Sequence, residues 1–183
     1  MPPTLIDTNL LVYLYDQNQP GKQYQSERVL EQLELTRNGR LSVQVLAEFF
    51  SVATRKLSPS LTPAEALEQV NLFIRLWPIF DLTPMIVMEA GRGVRDHKLS
   101  YYDAQVWATA RLNQVPVVFS EDFRDGSILE GVRFVNPINP VDSLKGSTDW
   151  FSHFPSIPSR ALDKKEILHK FFLTSSMSDA ISC

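Results

Sequence analysis

Four carboxylates stand where short apolar runs end or in the helical stretches beside them. Asp7 closes the first such run in Leu5-Ile6-Asp7-Thr8-Asn9, and Glu48 lies in Val45-Leu46-Ala47-Glu48-Phe49-Phe50. Asp103 opens a helical stretch in Leu99-Ser100-Tyr101-Tyr102-Asp103-Ala104, and Asp122 follows a run in Val117-Val118-Phe119-Ser120-Glu121-Asp122-Phe123. Each also has a local reading. Asp7 suits the N-cap of the helix after it, Glu48 shares a polar stripe with Gln44, Ser51 and Arg55, Ser100 and Asp103 have capping-box spacing, and Ser120-Glu121-Asp122 reads as a polar turn. Taken together they point elsewhere. Four like charges gathered at one end of a sheet repel and raise one another's pKa, a conflict that a divalent cation removes. Carboxylate oxygens suit the hard ions Mg²⁺ and Mn²⁺. An ion so held activates water and neutralises charge on a phosphoryl oxygen, chemistry that hydrolyses a phosphodiester without a nucleophilic side chain. Thr8, Asn9 and Ser120 adjoin these acids and are suited to orient them by hydrogen bonds.

The elements needed to bring the acids together can be read from the pattern. Between Leu5 and Pro140, short runs rich in β-branched residues alternate with longer stretches of helical period, the mark of a mostly parallel sheet covered on both faces. Strands are expected at 4–7, 41–43, 79–82, 115–119 and 133–135, and helices at about 8–16, 22–37, 44–56, 63–76, 84–97 and 102–113. Thr62-Pro63-Ala64-Glu65 is a capping box with proline at the first helical position, and Thr83-Pro84 repeats the entry. In such a sheet, ligands bind beyond the carboxyl ends of the strands, where Asp7, Glu48 and Asp122 fall. Gly91 and Gly93 lie within a helical pattern and lack the strand-to-helix setting of a phosphate loop.

Composition narrows the class. The 183 residues carry a formal net charge of −3, with 44% hydrophobic and 21% charged, as in ordinary globular proteins and unlike disordered or fibrous chains. There is no strong basic field to hold duplex DNA, so any nucleic-acid contact must be local. The lone cysteine, Cys183, permits no intrachain disulfide and suggests a reducing, cytoplasmic setting. No run reaches the ~20 apolar residues of a membrane span, and Met1-Pro2-Pro3-Thr4 lacks the basic start of a signal peptide. Residues 1–140 are expected to form the α/β domain. Residues 141–183 form an extension, with Trp150, Phe151 and Phe154 more suited to covering core than to stacking bases, followed by one helical stretch at about 159–172.

The four motifs, in this order and at these separations, resemble those of PIN-domain nucleases, in particular the VapC-type toxins of prokaryotic toxin–antitoxin pairs. The resemblance runs from about residue 4 to 138, ending in Val135-Asn136-Pro137, and leaves the extension unmatched. It implies a three-layer α/β/α fold with a central parallel sheet, which the five expected strands would form as a mostly parallel five-stranded sheet, and Mg²⁺- or Mn²⁺-dependent endoribonuclease activity. It also implies an antitoxin partner and a homodimer. Carried over by position, Asp7, Glu48, Asp103 and Asp122 match the acidic quartet, with Asp7, Asp103 and Asp122 as metal ligands. Thr8, Asn9 and Ser120 match the polar residues around it.

RNA needs cations beyond the metal. The candidates are Arg55 and Lys56 after the Glu48 helix, and Arg92, Arg95, His97 and Lys98 before Asp103, the second cluster being the better placed by sequence. An aspartyl phosphatase would want a second Asp where Asn9 stands, and a phosphoacceptor receiver would want a Lys after the late strand. The alternative that stays open is a PIN-like module that binds RNA or protein without cleaving it.

Overall fold

The structure, a computed structural model, describes residues 1–138. Both expectations for the extension, its aromatic loop and its helix, lie outside the described residues. The chain runs β1 (Thr4–Ile6), α1 (Thr8–Tyr13), α2 (Pro20–Thr36), β2 (Gly39–Ser42), α3 (Val43–Arg55), α4 (Pro63–Leu76), β3 (Ile79–Phe80), α5 (Pro84–His97), α6 (Tyr101–Leu112), β4 (Val117–Phe119), β5 (Ile128–Leu129) and β6 (Val132–Val135). The sheet order is β3-β2-β1-β4-β6-β5. Every pairing is parallel except that of β5 with β6. All three residues of β1 and of β4 are buried, as central strands of a covered sheet must be.

The helices flank this sheet. Over one face, Ile86 and Ala90 of α5 and Ala104, Trp107 and Ala108 of α6 pack against Leu5, Val118 and Phe134. The other helices form a second group in which α1 packs on α2 and α3, and α3 on α4. An aromatic chain runs through it, with Tyr15 on Phe49, Phe49 edge-on to Phe73, and Phe73 stacked on Trp77. No described helix is long and apolar enough to cross a membrane.

Helix starts follow their sequence signals. The Thr62 side chain accepts from Glu65 N–H while Glu65 reaches back to Thr62 N–H, and Thr83 caps α5. Ser42 ends β2 and caps α3 through Val45 N–H at 3.2 Å, so strand and helix join without a loop. The sheet has six strands rather than the expected five. The addition is the short β5, which folds back on β6 through Glu130 and Gly131 at φ 46° and 89°. Both turn residues take left-handed backbone, the requirement of a tight hairpin usually met by Asn-Gly. A glutamate there hid the turn. Its carboxylate is held by Arg92 at 2.7 Å, Arg111 at 2.9 Å and His97 at 2.8 Å, contacts from distant parts of the chain.

Helices α5 and α6 meet closely at Gly93. A Cβ there would lie 2.9 Å from Trp107 Cζ3 and 3.3 Å from the Ala104 Cβ, and the buried indole has no room to retreat. Gly91, two residues earlier, would place a Cβ in open space. Alanine in a helix interior is favoured over glycine by about 1 kcal/mol, so the two sites should respond with opposite sign. Gly91→Ala is expected to stabilise by about 0.5–1 kcal/mol, and Gly93→Ala to destabilise by about 1–3 kcal/mol through overpacking. Chemical denaturation of the two variants checks this. Equal shifts would mean that the helix contact is looser than described.

Candidate active site

The sheet's order reverses beside β1, which has β2 on one side and β4 on the other. Crevices at such switch points are where α/β sheets bind ligands. The cleft found there has a volume of about 320 Å³ and is lined by Asp7, Glu48, Asp103 and Asp122, among others. Each acid reaches it from a different element: Asp7 from the end of β1, Glu48 from α3, Asp103 from the first turn of α6, and Asp122 from the segment after β4.

Asp7 both caps and lines. Its Oδ1 accepts from Thr8 N–H at 2.7 Å, making it the N-cap of α1, and its Oδ2 accepts from Ser120 Oγ at 2.6 Å. The capping reading and the site reading are therefore compatible. The carboxyl is almost wholly buried, at 5% exposure. Desolvation pushes its pKa up to about 7, helped by the charges of Asp122 and Glu48 and opposed by the Ser120 and Thr8 hydrogen bonds. Asp122 is raised too, first by burial and then by the charge of Asp103. The four acids thus feel one another as a connected series.

The small polar neighbours hold the acids in place. Asn9 Nδ2 donates to Asp122 Oδ2 at 3.1 Å, Thr8 Oγ1 donates to Glu48 Oε2 at 3.1 Å, and Ser120 Oγ accepts from Asp122 N–H at 3.1 Å. Ser120 thereby ties Asp7 to Asp122 across the two central strands. On the same flank, Tyr13 hydrogen-bonds Glu121, and Lys22 Nζ reaches Tyr13 Oη at 2.7 Å and Glu121 Oε2 at 2.8 Å. This cluster fixes the segment that carries Asp122. Tyr13 and Gln44 line the cleft as well. Tyr13 went unnoticed in the sequence although it lies four residues after Asn9, the spacing that places two side chains on one helix face.

The cations expected from the second cluster are elsewhere. Arg92 is bound to Glu89 and Glu130, Arg95 to Asp96, and Lys98 Nζ to the Arg95 carbonyl. His97 contacts Glu130 and the Trp107 ring. None of them, nor Arg55, lines the cleft, whereas Lys56 does. Arg92 and its partners brace the β5–β6 turn against α5 and α6.

The donor set fits a hard divalent ion: oxygen only, four carboxylates on one cleft, and a buried Asn9 Oδ1 without a hydrogen-bond partner. Among the described residues, no three Asp, Glu, His or Cys side chains stand close enough to enclose an ion. An ion held by one or two carboxylates with waters completing its shell, the usual habit of Mg²⁺, suits this spacing.

The buried Asp7 carboxyl has a consequence for stability without metal. Its folded pKa lies above the ordinary 3.8, so its contribution is fully favourable below about pH 4 and is lost as pH rises through about 7. Metal-free protein should therefore melt at progressively lower temperature between pH 5 and pH 8, and calorimetric scans in excess chelator would show it. A melting temperature that rises across this window would remove Asp7 from the protonated, buried state.

Comparison with known proteins agrees with this architecture. Among curated proteins no sequence relative matches. Solved structures do: a toxin–antitoxin complex from Klebsiella pneumoniae matches with a TM-score of 0.54 at 18% identity, over 73% of this chain and 97% of that one. A sarcin–ricin-loop-cleaving VapC toxin from Mycobacterium tuberculosis gives 0.54 at 18% identity, over 71% and 98%. A DNA-bound VapBC from Salmonella typhimurium gives 0.53 at 20% identity, over 73% and 97%. At these identities the likeness is one of fold. The PIN-domain family model matches residues 4–125, a span that holds the switch point and all four acids, and the chain accordingly belongs to the PIN domain family.

Proposed function

We propose that the protein is a metal-dependent endoribonuclease, the VapC-type toxin of a toxin–antitoxin pair, with residues 1–140 as its nuclease domain. The observation that carries this reading is the convergence of Asp7, Glu48, Asp103 and Asp122, from four separate elements, on one cleft at the switch point. Asp7, Asp103 and Asp122 are the ligands for Mg²⁺ or Mn²⁺, one or two of them touching the ion and the others, with Glu48, holding it through its waters. The ion, when bound, supplies an activated water and neutralises charge on the phosphoryl oxygens. The chain's own part is positional. Ser120 and Asn9 fix the facing oxygens of Asp7 and Asp122, Thr8 fixes Glu48, and burial of Asp7 keeps bulk water from one side of the site.

The likeness to toxin–antitoxin complexes supports an antitoxin as partner. The exposed Met85 and Met88 on α5 are apolar surface that either an antitoxin or a second copy would cover, consistent with a homodimer. The toxin reading carries with it a cytoplasmic location. The reading is tested with purified, antitoxin-free protein on a pool of structured and single-stranded RNA, with Mg²⁺ or Mn²⁺ and with excess chelator. Cutting only with metal is expected. Intact RNA from a folded sample in every condition would favour the non-catalytic binding module.

A further inference from the structure

The acidic end of the cleft is not all of it. Beyond Glu48 the cleft is lined along α3 by Val52 and then by Lys56 and Leu57, and from the α1–α2 stretch by Tyr13, Asp16 and Gln19. Glu48 and Lys56 are eight residues apart, about 12 Å along the helix axis, so the ammonium stands well away from Glu48, although a further carboxylate, Asp16, also lines the cleft. Lys56 is exposed and has no ion pair among the described residues, in contrast to Arg92, Arg95 and Arg111, each of which is bound to a carboxylate. It is also the only Lys or Arg among the residues lining the cleft. A phosphodiester strand that places one phosphate among four carboxylates needs positive charge for its neighbours, because phosphate contacts supply most of the affinity of a nucleic-acid strand.

We propose that this arm of the cleft is the subsite for the RNA strand next to the cleaved bond, with Lys56 binding a neighbouring phosphate and Val52 and Leu57 forming the apolar floor beneath it. The assignment rests on the nuclease reading above and adds the path of the substrate. Strand polarity sets which side of the cleaved bond the arm holds. A substrate long enough to reach Lys56 should bind better than one that fills only the acidic end.

The test uses the full chain and a fluorescent single-stranded RNA of about ten nucleotides. Binding is measured in chelator against monovalent salt concentration, in an Asp7→Asn background so that the RNA stays intact. Lys56→Ala is expected to weaken binding about tenfold, the scale of one charge-assisted hydrogen bond. It should also make the plot of log affinity against log salt shallower by about 0.7, the share of one phosphate contact on a single strand. Lys56→Arg should restore both, and Arg95→Ala, outside the cleft, should change neither. In the otherwise wild-type enzyme, Lys56→Ala should raise KM for the same RNA and leave kcat in place. An unchanged affinity and salt slope in a folded Lys56→Ala protein overturns the subsite and leaves the nuclease reading untouched. If wild type cuts no RNA but Lys56→Ala still loses the salt slope, the subsite stands and the nuclease reading falls.

Discussion

Asp7→Asn is expected to lower RNA cleavage at least about 100-fold while raising the melting temperature of the metal-free protein at pH 8. Loss of a residue that merely orients a metal ligand typically costs 10–100-fold, and Asp7 is placed here as a ligand itself. The stability effect comes from the same burial. At pH 8 the wild-type carboxyl, with its pKa near 7, must carry a charge in an almost closed site, and asparagine removes that charge at constant shape. One of the two hydrogen bonds now accepted by Asp7, from Ser120 Oγ or Thr8 N–H, would meet an amide N–H₂ instead, which returns about 1 kcal/mol. Raising the pKa from 3.8 to about 7 corresponds to about 4 kcal/mol, so the net gain is about 3 kcal/mol at pH 8, shrinking toward pH 4 where both side chains are neutral. Thermal melts at the two pH values measure it. Mg²⁺ should then stabilise wild type and not the variant. A variant that is inactive and also less stable at pH 8 would point to a structural role for Asp7 instead.

Trp107→Ala should have the largest effect on folding, about 3–5 kcal/mol, read as a fall in melting temperature of about 10 °C or more. The indole is fully buried and donates from Nε1 to the Leu129 carbonyl at 3.3 Å. The Arg92 and Arg111 guanidiniums lie 5.0 and 5.8 Å from its ring, and the His97 ring 5.4 Å away. It is thus the piece on which α5, α6 and the β5–β6 turn all close. Asp103 is one turn before it on α6, so the loss should also loosen one wall of the cleft. A Trp107→Phe variant, which keeps most of the apolar volume, should recover most of the stability; equal losses in the two variants would assign the effect to the indole N–H alone.

What could be read from the sequence was local. The entries to α4 and α5 are set by Thr-Pro pairs whose side chains bond backbone N–H groups three residues on, and both helices span the expected 63–76 and 84–97. Strands β1, β2, β4 and β6 fall within their expected runs or one or two residues away: β1 and β4 are buried at every residue, while β2 and β6 keep enough buried positions around Arg40 and Arg133 to show as short runs. The misses were set at long range. The β5–β6 turn depends on Arg92, 38 residues before Glu130, and no short window shows that a glutamate is held in left-handed backbone by cations from α5 and α6. The same pairings explain why Arg92 and Arg95 looked like substrate contacts: a cluster of bases before Asp103 is visible in sequence, but their neutralisation by Glu89, Asp96 and Glu130 is visible only in three dimensions. Lys56 looked the weaker candidate for the converse reason, since only the fold shows that the end of α3 borders the cleft. The acids were legible because parallel α/β topology sends every strand's carboxyl end to the same edge, which makes position along the chain a fair guide to position in space.

The most direct test is the rate at which wild type and Asp122→Asn cut one defined single-stranded RNA as Mg²⁺ is titrated from excess chelator upward. Carboxylates that hold the working ion give a wild-type rate that is zero in chelator and saturates with Mg²⁺, and an Asp122→Asn rate that needs far more Mg²⁺ and never reaches the wild-type plateau. Wild-type cutting that persists in excess chelator, or an Asp122→Asn protein that matches wild type at every Mg²⁺ concentration, would contradict it.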